Sequence, residues 1–355
     1  MTESTRLRIV VLGAGSIGAY VGGALLDAGS AVTLIGRARM RERIATHGLH
    51  LSDLNGHEAH LAASAVPWVD AADEVQVARA LQSAALVLVA VKSADTAAVA
   101  QTLARHLGPE ALVCSLQNGI GNADVLRAAL PAHRVCAGMV PFNVVQLPPS
   151  RLHRGTWGEL MVQADPAWTH WSNAFASAHL PLQQRTDMRE VQWGKLLLNL
   201  NNAINALSGV PLKAQLAQRG YRRILAALID EALLALKAAG IAPAQIGKLA
   251  PSRMPFVLRL PDWLFTRLAA GMLKIDPQAR SSMWEDLQAG RRTEVDEFNG
   301  AVARLAREHG LRAPCNEAIA ALVRQAEQGG RRDWGVQALE TALLSAQPTA
   351  PQPPR

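Results

Sequence analysis

Aromatic residues are scarce in this 355-residue chain: Phe, Trp and Tyr together make up 4% of it. Grip on unpaired bases needs aromatics interleaved with basic residues, and no such array occurs. Cysteine is scarcer still. Cys114, Cys136 and Cys315 lie far apart, which excludes a metal-ligating cluster and a disulfide scaffold and leads us to expect reduced thiols in a cytoplasmic setting. No apolar run reaches the ~18 residues of a membrane span; the longest clean one, ALVLVAV at 85–91, suits a buried strand. The opening MTESTRLRIVVLG has no basic region followed by an apolar core, so no signal peptide is expected. Internal repeats are absent. Charge is modest and lopsided: 18% of residues are charged, with a net of +7. Lys and Arg are scattered rather than massed, which fits solvated faces and an anionic small ligand better than nucleic acid or a membrane.

What is present is a hydrophobic content of 49% in a chain long enough for two domains. The first half alternates. RIVVLG, AVTLIG, LVLVAV and ALVCSLQ read as strands, and 16–28, 95–106 and 122–130 read as helices. This order predicts βαβ units and a parallel sheet covered on both faces. LHLSD and HEAHLAAS around Asn55-Gly56 predict a hairpin inserted into that pattern, and 135–164 predicts further strands. Beyond Asp187 the period becomes helical, over 189–207, 219–239, 281–309, 315–328 and 333–345. Prolines punctuate 243–280. We therefore expect an α/β protein: a parallel-sheet domain over 1–187, an all-helical domain over 188–345, and a disordered tail over 346–355.

The first strand runs into GAGSIG, residues 13–18. In G-x-G-x-x-G between strand and helix, Gly13 permits the tight turn. Gly15 lets backbone approach a pyrophosphate, and Gly18 lets helix and strand pack closely. The N–H groups of the helix start then face the phosphates. This predicts a Rossmann-type dinucleotide site formed by Gly13, Ala14, Gly15, Ser16, Ile17 and Gly18. After the second strand stands Gly36-Arg37, where an NAD site often has an acid for the ribose 2′-OH. An arginine fork suits a 2′-phosphate, so the expected cofactor is NADP(H); read blandly, Arg37 is a solvated strand-end charge. Lys92 and Asn118 close two further strands, where open parallel sheets bind ligands. Asn118 suits a turn equally well.

In the second half, WGKLLLNLNN (193–202) is mostly apolar yet carries Lys195, Asn199 and Asn202 on one helical stripe. In SSMWEDLQAGRRTEVDEFNGAVARL, Glu294 falls amid the apolar stripe of Met283, Leu287, Phe298, Val302 and Leu305. A carboxylate on a core face needs a partner or a task, and Lys195 is the candidate partner. Ser282-Met-Trp-Glu285 fits a capping box.

With VLGAGSIG, VKS, QNGIGN, WGKLLLN and SSMWEDLQAGRRTEVDEFNG in this order, the chain resembles the ketopantoate reductase (2-dehydropantoate 2-reductase) family to about residue 328. The resemblance implies an NADPH-binding Rossmann domain followed by a helical domain, with hydride delivered to the ketone carbon of a 2-oxo acid. It implies Lys195 as general acid, Glu294 on a substrate hydroxyl, and Ser282 on the carboxylate. Asn118, Asn199 and Asn202 would contact cofactor or substrate, Lys92 would lie beside the cofactor, and Arg37 would take the 2′-phosphate. Two departures bear on the substrate. The family typically has a second asparagine eight residues after the lysine; here Ala203 stands there, with Asn202 one residue early. It often has an asparagine after the next Val-Pro, where this chain has Leu212. The expected activity is reduction of ketopantoate to pantoate. The alternatives are reduction of another 2-oxo acid and a non-catalytic NADP(H) sensor. A homodimer through the apolar helical domain is compatible with the sequence, which carries no direct signal for one.

Overall fold

The computed structural model describes residues 7–268 and 278–344, so the expected tail at 346–355 lies outside the described residues. The chain divides into two compact units, Met1–Met188 and Arg189–Arg355. No helix among the described residues is long and apolar enough to cross a membrane.

The first unit contains β1 (Arg8–Leu12), β2 (Ala31–Gly36), β3 (Leu49–Asp53), β4 (Glu58–Leu61), β5 (Trp68–Asp70), β6 (Leu86–Val89), β7 (Leu112–Ser115), β8 (Arg134–Met139), β9 (Val144–Leu147), β10 (Arg151–Arg154), β11 (Leu160–Gln163) and β12 (Leu182–Arg185). Eight of them form one sheet in the order β12-β11-β8-β7-β6-β1-β2-β5. From β5 through β8 neighbours run parallel. β11 then pairs antiparallel with β8, and β12 runs parallel to β11. The chain goes outward from β1 to β2 and β5, then returns to β6 on the other side of β1. That reversal opens the crevice in which such sheets hold ligands, at the C-terminal strand ends.

The continuous apolar runs have their cause here. Val10, Leu12, Val87, Val89 and Val113 face one core. Ile9, Val11, Leu86, Leu88, Leu112 and Cys114 face the other. A sheet buried on both faces has no polar side to alternate with.

The hairpin at Asn55-Gly56 forms, with β3 antiparallel to β4. Asp53 closes its turn by accepting from the N–H groups of Asn55 and His57. It interrupts the βαβ alternation along the chain, as the sequence pattern predicts, and stays out of the eight-stranded sheet. With β9 and β10 it makes a separate sheet in the order β4-β3-β10-β9. The cause is packing on the Ser16–Asp27 helix: Leu49 and Leu51 press against Gly23, where a Cβ would lie 2.8 Å from Leu49 Cδ2.

In the second unit the described residues form helices and no strand. Two expected single helices are broken. Residues 189–207 become Met188–Asn199 and Asn201–Ser208, interrupted at Leu200. Residues 281–309 become Ser282–Gln288 and Val295–Glu308. The second break is a Schellman stop. Gly290 takes φ +63°, its N–H bonds Leu287 O, and the Arg291 N–H bonds Asp286 O at 2.8 Å. Apolar periodicity carried across Gly290 and hid the stop.

The proline-punctuated stretch is tied to the long helix Arg219–Ala238 by Arg222, which is 0% exposed. Its guanidinium donates to the carbonyls of Leu216, Ala217, Leu258 and Leu260 and to Asp262 Oδ1. It also lies 4.1 Å from the Phe265 ring centroid. Replacing Arg222 with Met leaves four carbonyls without their donor. Arg222→Met is expected to lower unfolding free energy by about 3 kcal/mol, read by urea denaturation. An unchanged midpoint would show that solvent serves these carbonyls equally well.

Candidate functional site

Three glycines set the loop after β1. Gly13 has φ +98°, and a Cβ there would lie 2.5 Å from Val91 N. Bare backbone alone can pass so close to β6. The N–H groups of Gly13 and Ala14 both donate to Ile35 O, at 3.0 and 2.9 Å, fixing the loop to β2. Around Gly15 an added Cβ meets nothing within 4 Å, so the loop is open on the side where a pyrophosphate would approach. A Cβ on Gly18 would lie 2.3 Å from Gly13 O, so the helix sits directly on the turn. Ser16, Ile17 and Gly18 begin that helix, and first-turn N–H groups have no acceptor within their own helix. These residues fit a bound diphosphate.

Arg37 directly follows β2, with its side chain 79% exposed and 3.3 Å from Asp95 Oδ2. A pair this exposed holds weakly, which leaves the guanidinium available to another anion. Gly36 is squeezed between Trp68 and Ala14, where a Cβ would meet Trp68 at 2.6 Å.

Lys92 and Asn118 lie just beyond β6 and β7, on loops held by a buried chain of hydrogen bonds. Ser115 Oγ donates to Gln117 Oε1 at 3.0 Å. Gln117 Nε2 donates to Thr96 Oγ1 at 2.7 Å and to Val91 O at 3.1 Å. Thr96 Oγ1 donates to Asn122 Oδ1 at 2.9 Å. Asn122 Nδ2 donates to Asn118 O at 2.7 Å and to Ser93 Oγ at 3.0 Å. Every donor thus meets an acceptor, and the loops need no regular structure to stay in place. Asn118 projects an exposed side chain from this frame. Sequence reasoning missed Ser115, Thr96 and Asn122; small polar residues flanking strand ends were the available signal.

In the second unit Lys195 stands half-buried on the Met188–Asn199 helix, with Leu196 and Leu197 buried beside it. Gly194 brings this helix against Ala244, whose carbonyl oxygen would lie 2.1 Å from a Cβ at that position. Burial lowers the Lys195 ammonium to about 8. The net direction is downward, so desolvation outweighs any compensating carboxylate, including the one expected from Glu294.

The interruption at Leu200 resets the polar stripe. Asn199 ends one helix, and Asn201 and Asn202 begin the next. Asn201 is buried, Asn202 half-buried and Ala203 fully buried. Three amides lock this region. Gln215 Nε2 donates to Asn201 Oδ1 at 2.7 Å. Asn205 Nδ2 donates to Gln215 Oε1 at 2.9 Å and to Val210 O at 2.7 Å. Asn205 Oδ1 accepts from Ser281 N at 2.8 Å. The Ser281 hydroxyl donates to Asn202 O at 3.3 Å. The structure therefore brings Ser282 and Asn202 to neighbouring segments. Sequence reasoning missed Asn201, Asn205 and Gln215.

Two expectations are corrected here. Ser282 is not the helix cap. Ser281 is, since its Oγ accepts from Trp284 N at 3.2 Å, and Ser282 is left exposed. Glu294 is not in mid-helix: it takes the N-cap position of Val295–Glu308, with no side-chain capping bond. It is nonetheless buried, at 8% exposure. Burial pushes the neighbouring Glu297 carboxyl upward, against the opposing charge of Arg304 and with smaller contributions from Asp296 and Glu294.

Residues 9–166 match the family model for ketopantoate reductase PanE/ApbA, and residues 187–327 match the model for its C-terminal part. A 2-dehydropantoate 2-reductase of Halobacterium salinarum is 30% identical over 331 residues, covering 91% of this chain and 100% of that protein. A PanE/ApbA family ketopantoate reductase from Ralstonia eutropha JMP134 is similar in structure, with a TM-score of 0.75 and 30% identity over 91% of this chain and 99% of that one. D-mandelate dehydrogenase, solved with NADH and anilino(oxo)acetate, shares the fold at a TM-score of 0.72 and 19% identity, over 91% and 99% of the two chains.

Because Gly18 lies against the Gly13 turn, a single methyl there must move the cradle. Gly18→Ala is expected to weaken binding of a nicotinamide dinucleotide by at least about tenfold. Fluorescence titration of the reduced cofactor measures this, and equal affinity in the variant would remove the loop from the binding site.

Proposed function

This chain belongs to the ketopantoate reductase family, and from that premise we propose that it uses NADPH to reduce the 2-oxo group of 2-dehydropantoate, giving pantoate. The observation that carries the proposal is Lys195, a half-buried cation lowered to about 8 on a helix of mostly apolar side chains.

The dihydronicotinamide, when bound, supplies a hydride to the ketone carbon. Negative charge then gathers on the carbonyl oxygen. The Lys195 ammonium stabilises that charge and transfers its proton from Nζ to the oxygen. Burial makes the resulting neutral amine easy to tolerate, and partial exposure lets solvent return the proton. In the same proposal Ser282 binds the carboxylate through its exposed hydroxyl. Asn199 and Asn202 orient the oxo acid, and Glu294 takes a substrate hydroxyl. Gly13 through Gly18 hold the diphosphate, with Lys92 and Asn118 toward the nicotinamide end. Arg37 gives the preference for NADPH over NADH, since no acid follows β2 to claim a ribose hydroxyl. The assembly in this reading is a homodimer.

A second reading keeps the chemistry and changes the acid. Leu212 is half-buried, and its backbone N–H donates to Ala279 O at 2.9 Å, beside the Ser281-Ser282 segment. An apolar side chain there favours a 2-oxo acid without a hydroxyl at that end.

NADPH oxidation with ketopantoate, pyruvate and 2-oxoisovalerate separates the two readings by kcat/KM. Lys195→Ala is expected to lower kcat by about 10²–10⁴-fold with the preferred acid. In the native enzyme the rate should fall as pH rises through about 8, because the donor must be protonated. A rate that is flat there and survives in Lys195→Ala would exclude Lys195 as the acid. NADPH binding without oxidation by any acid would favour a sensor. Arg37→Ala is expected to raise KM for NADPH about tenfold and leave KM for NADH unchanged; equal effects on both would dissociate Arg37 from the 2′-phosphate.

A further inference from the structure

One nitrogen of the half-buried Arg280 guanidinium, Nη1, is buried without an acceptor. The group lies 4.7 Å from the Trp284 ring centroid, a contact that attracts the cation without giving Nη1 an acceptor. Other arginines drawn into this protein are provided for. Arg222 has five acceptors, and Arg332 donates to the carbonyls of Ala326 and Leu287. Among the described residues Arg280 is the arginine with a buried nitrogen lacking an acceptor, and it directly precedes Ser281-Ser282.

The polar groups around it are already engaged. Asn205 Oδ1 accepts from Ser281 N. Ser281 Oγ bonds Asn202 O and Trp284 N. Ala279 O accepts from Leu212 N. Asp286 pairs with Arg291 at 3.0 Å. A desolvated charged donor left unmatched is costly, and a planar guanidinium matches a carboxylate through two parallel bonds. Resting on the reductase reading above, we propose that Arg280 is a substrate-binding residue that receives the carboxylate of the 2-oxo acid, supplying the charge that a serine hydroxyl lacks.

The test compares each 2-oxo acid with its uncharged primary amide, which keeps the ketone and removes the anion. In the full-length protein, Arg280→Met is expected to raise KM for the acid at least about 30-fold with little change in kcat. KM for the amide should stay at its native value, and Arg280→Lys should recover part of the loss. An unchanged KM for the acid, or equal losses for acid and amide, overturns the proposal. Calorimetric titration with the 2-oxo acids separates this inference from the reading beneath it. Acid binding that is lost in Arg280→Met, in a protein that oxidises no NADPH, keeps the anion site and removes the reductase assignment. Native protein that binds no 2-oxo acid removes the anion site.

Discussion

The carboxamide of Gln215 is wholly buried and uses both of its ends. It donates to Asn201 and accepts from Asn205, and Asn205 in turn holds the backbone of Ser281. Three segments, one of them 76 residues on from Asn205, are thereby fixed to one another, and Asn202, Leu212 and Ser282 stand on them. An apolar contact at the same place would contribute comparable stability but no register, because dispersion has no direction. A buried amide fits only where each donor meets its acceptor. In the first unit the chain from Ser115 through Gln117, Thr96 and Asn122 does the same for the loops carrying Lys92 and Asn118. Each unit has an apolar core that sets the architecture and an amide relay that sets the position of the candidate site residues.

Lys195 is governed by a different constraint. Burial of a cation destabilises its charged form, which brings the ammonium to about 8. The same shift that costs folding energy poises the group to part with a proton near neutral pH. Gly194 lets the same helix lie directly on the Ala244 backbone.

Much of the candidate site was legible in the sequence. The three glycines between strand and helix carry a steric requirement that is local, so their spacing already implied the turn. Lys195 was legible as a polar intruder in an apolar helix. Glu294 was legible as buried, but for an incorrect reason: the stripe from Met283 to Leu305 seemed continuous, and a Schellman stop at Gly290 moved Glu294 from mid-helix to a helix start. Ser282 was placed one residue off the cap for a similar cause. Two adjacent serines satisfy the same pattern, and the backbone path selected Ser281.

The sequence by itself determined the strand–helix alternation, the buried sheet, the glycine turn after β1 and the change to helices after Asp187, because each rests on periodicity or on a neighbour's steric demand. Tertiary structure decided the rest. It sent the Asn55-Gly56 hairpin into its own sheet, because Leu49 and Leu51 pack on Gly23. It divided Asn201 and Asn205 from Asn202, committing the first two to the amide relay and leaving Asn202 half-buried. It also left Arg280 without an acceptor. Hydrogen-bond partners dozens of residues apart leave no periodic trace in a chain, so only the folded arrangement could assign them.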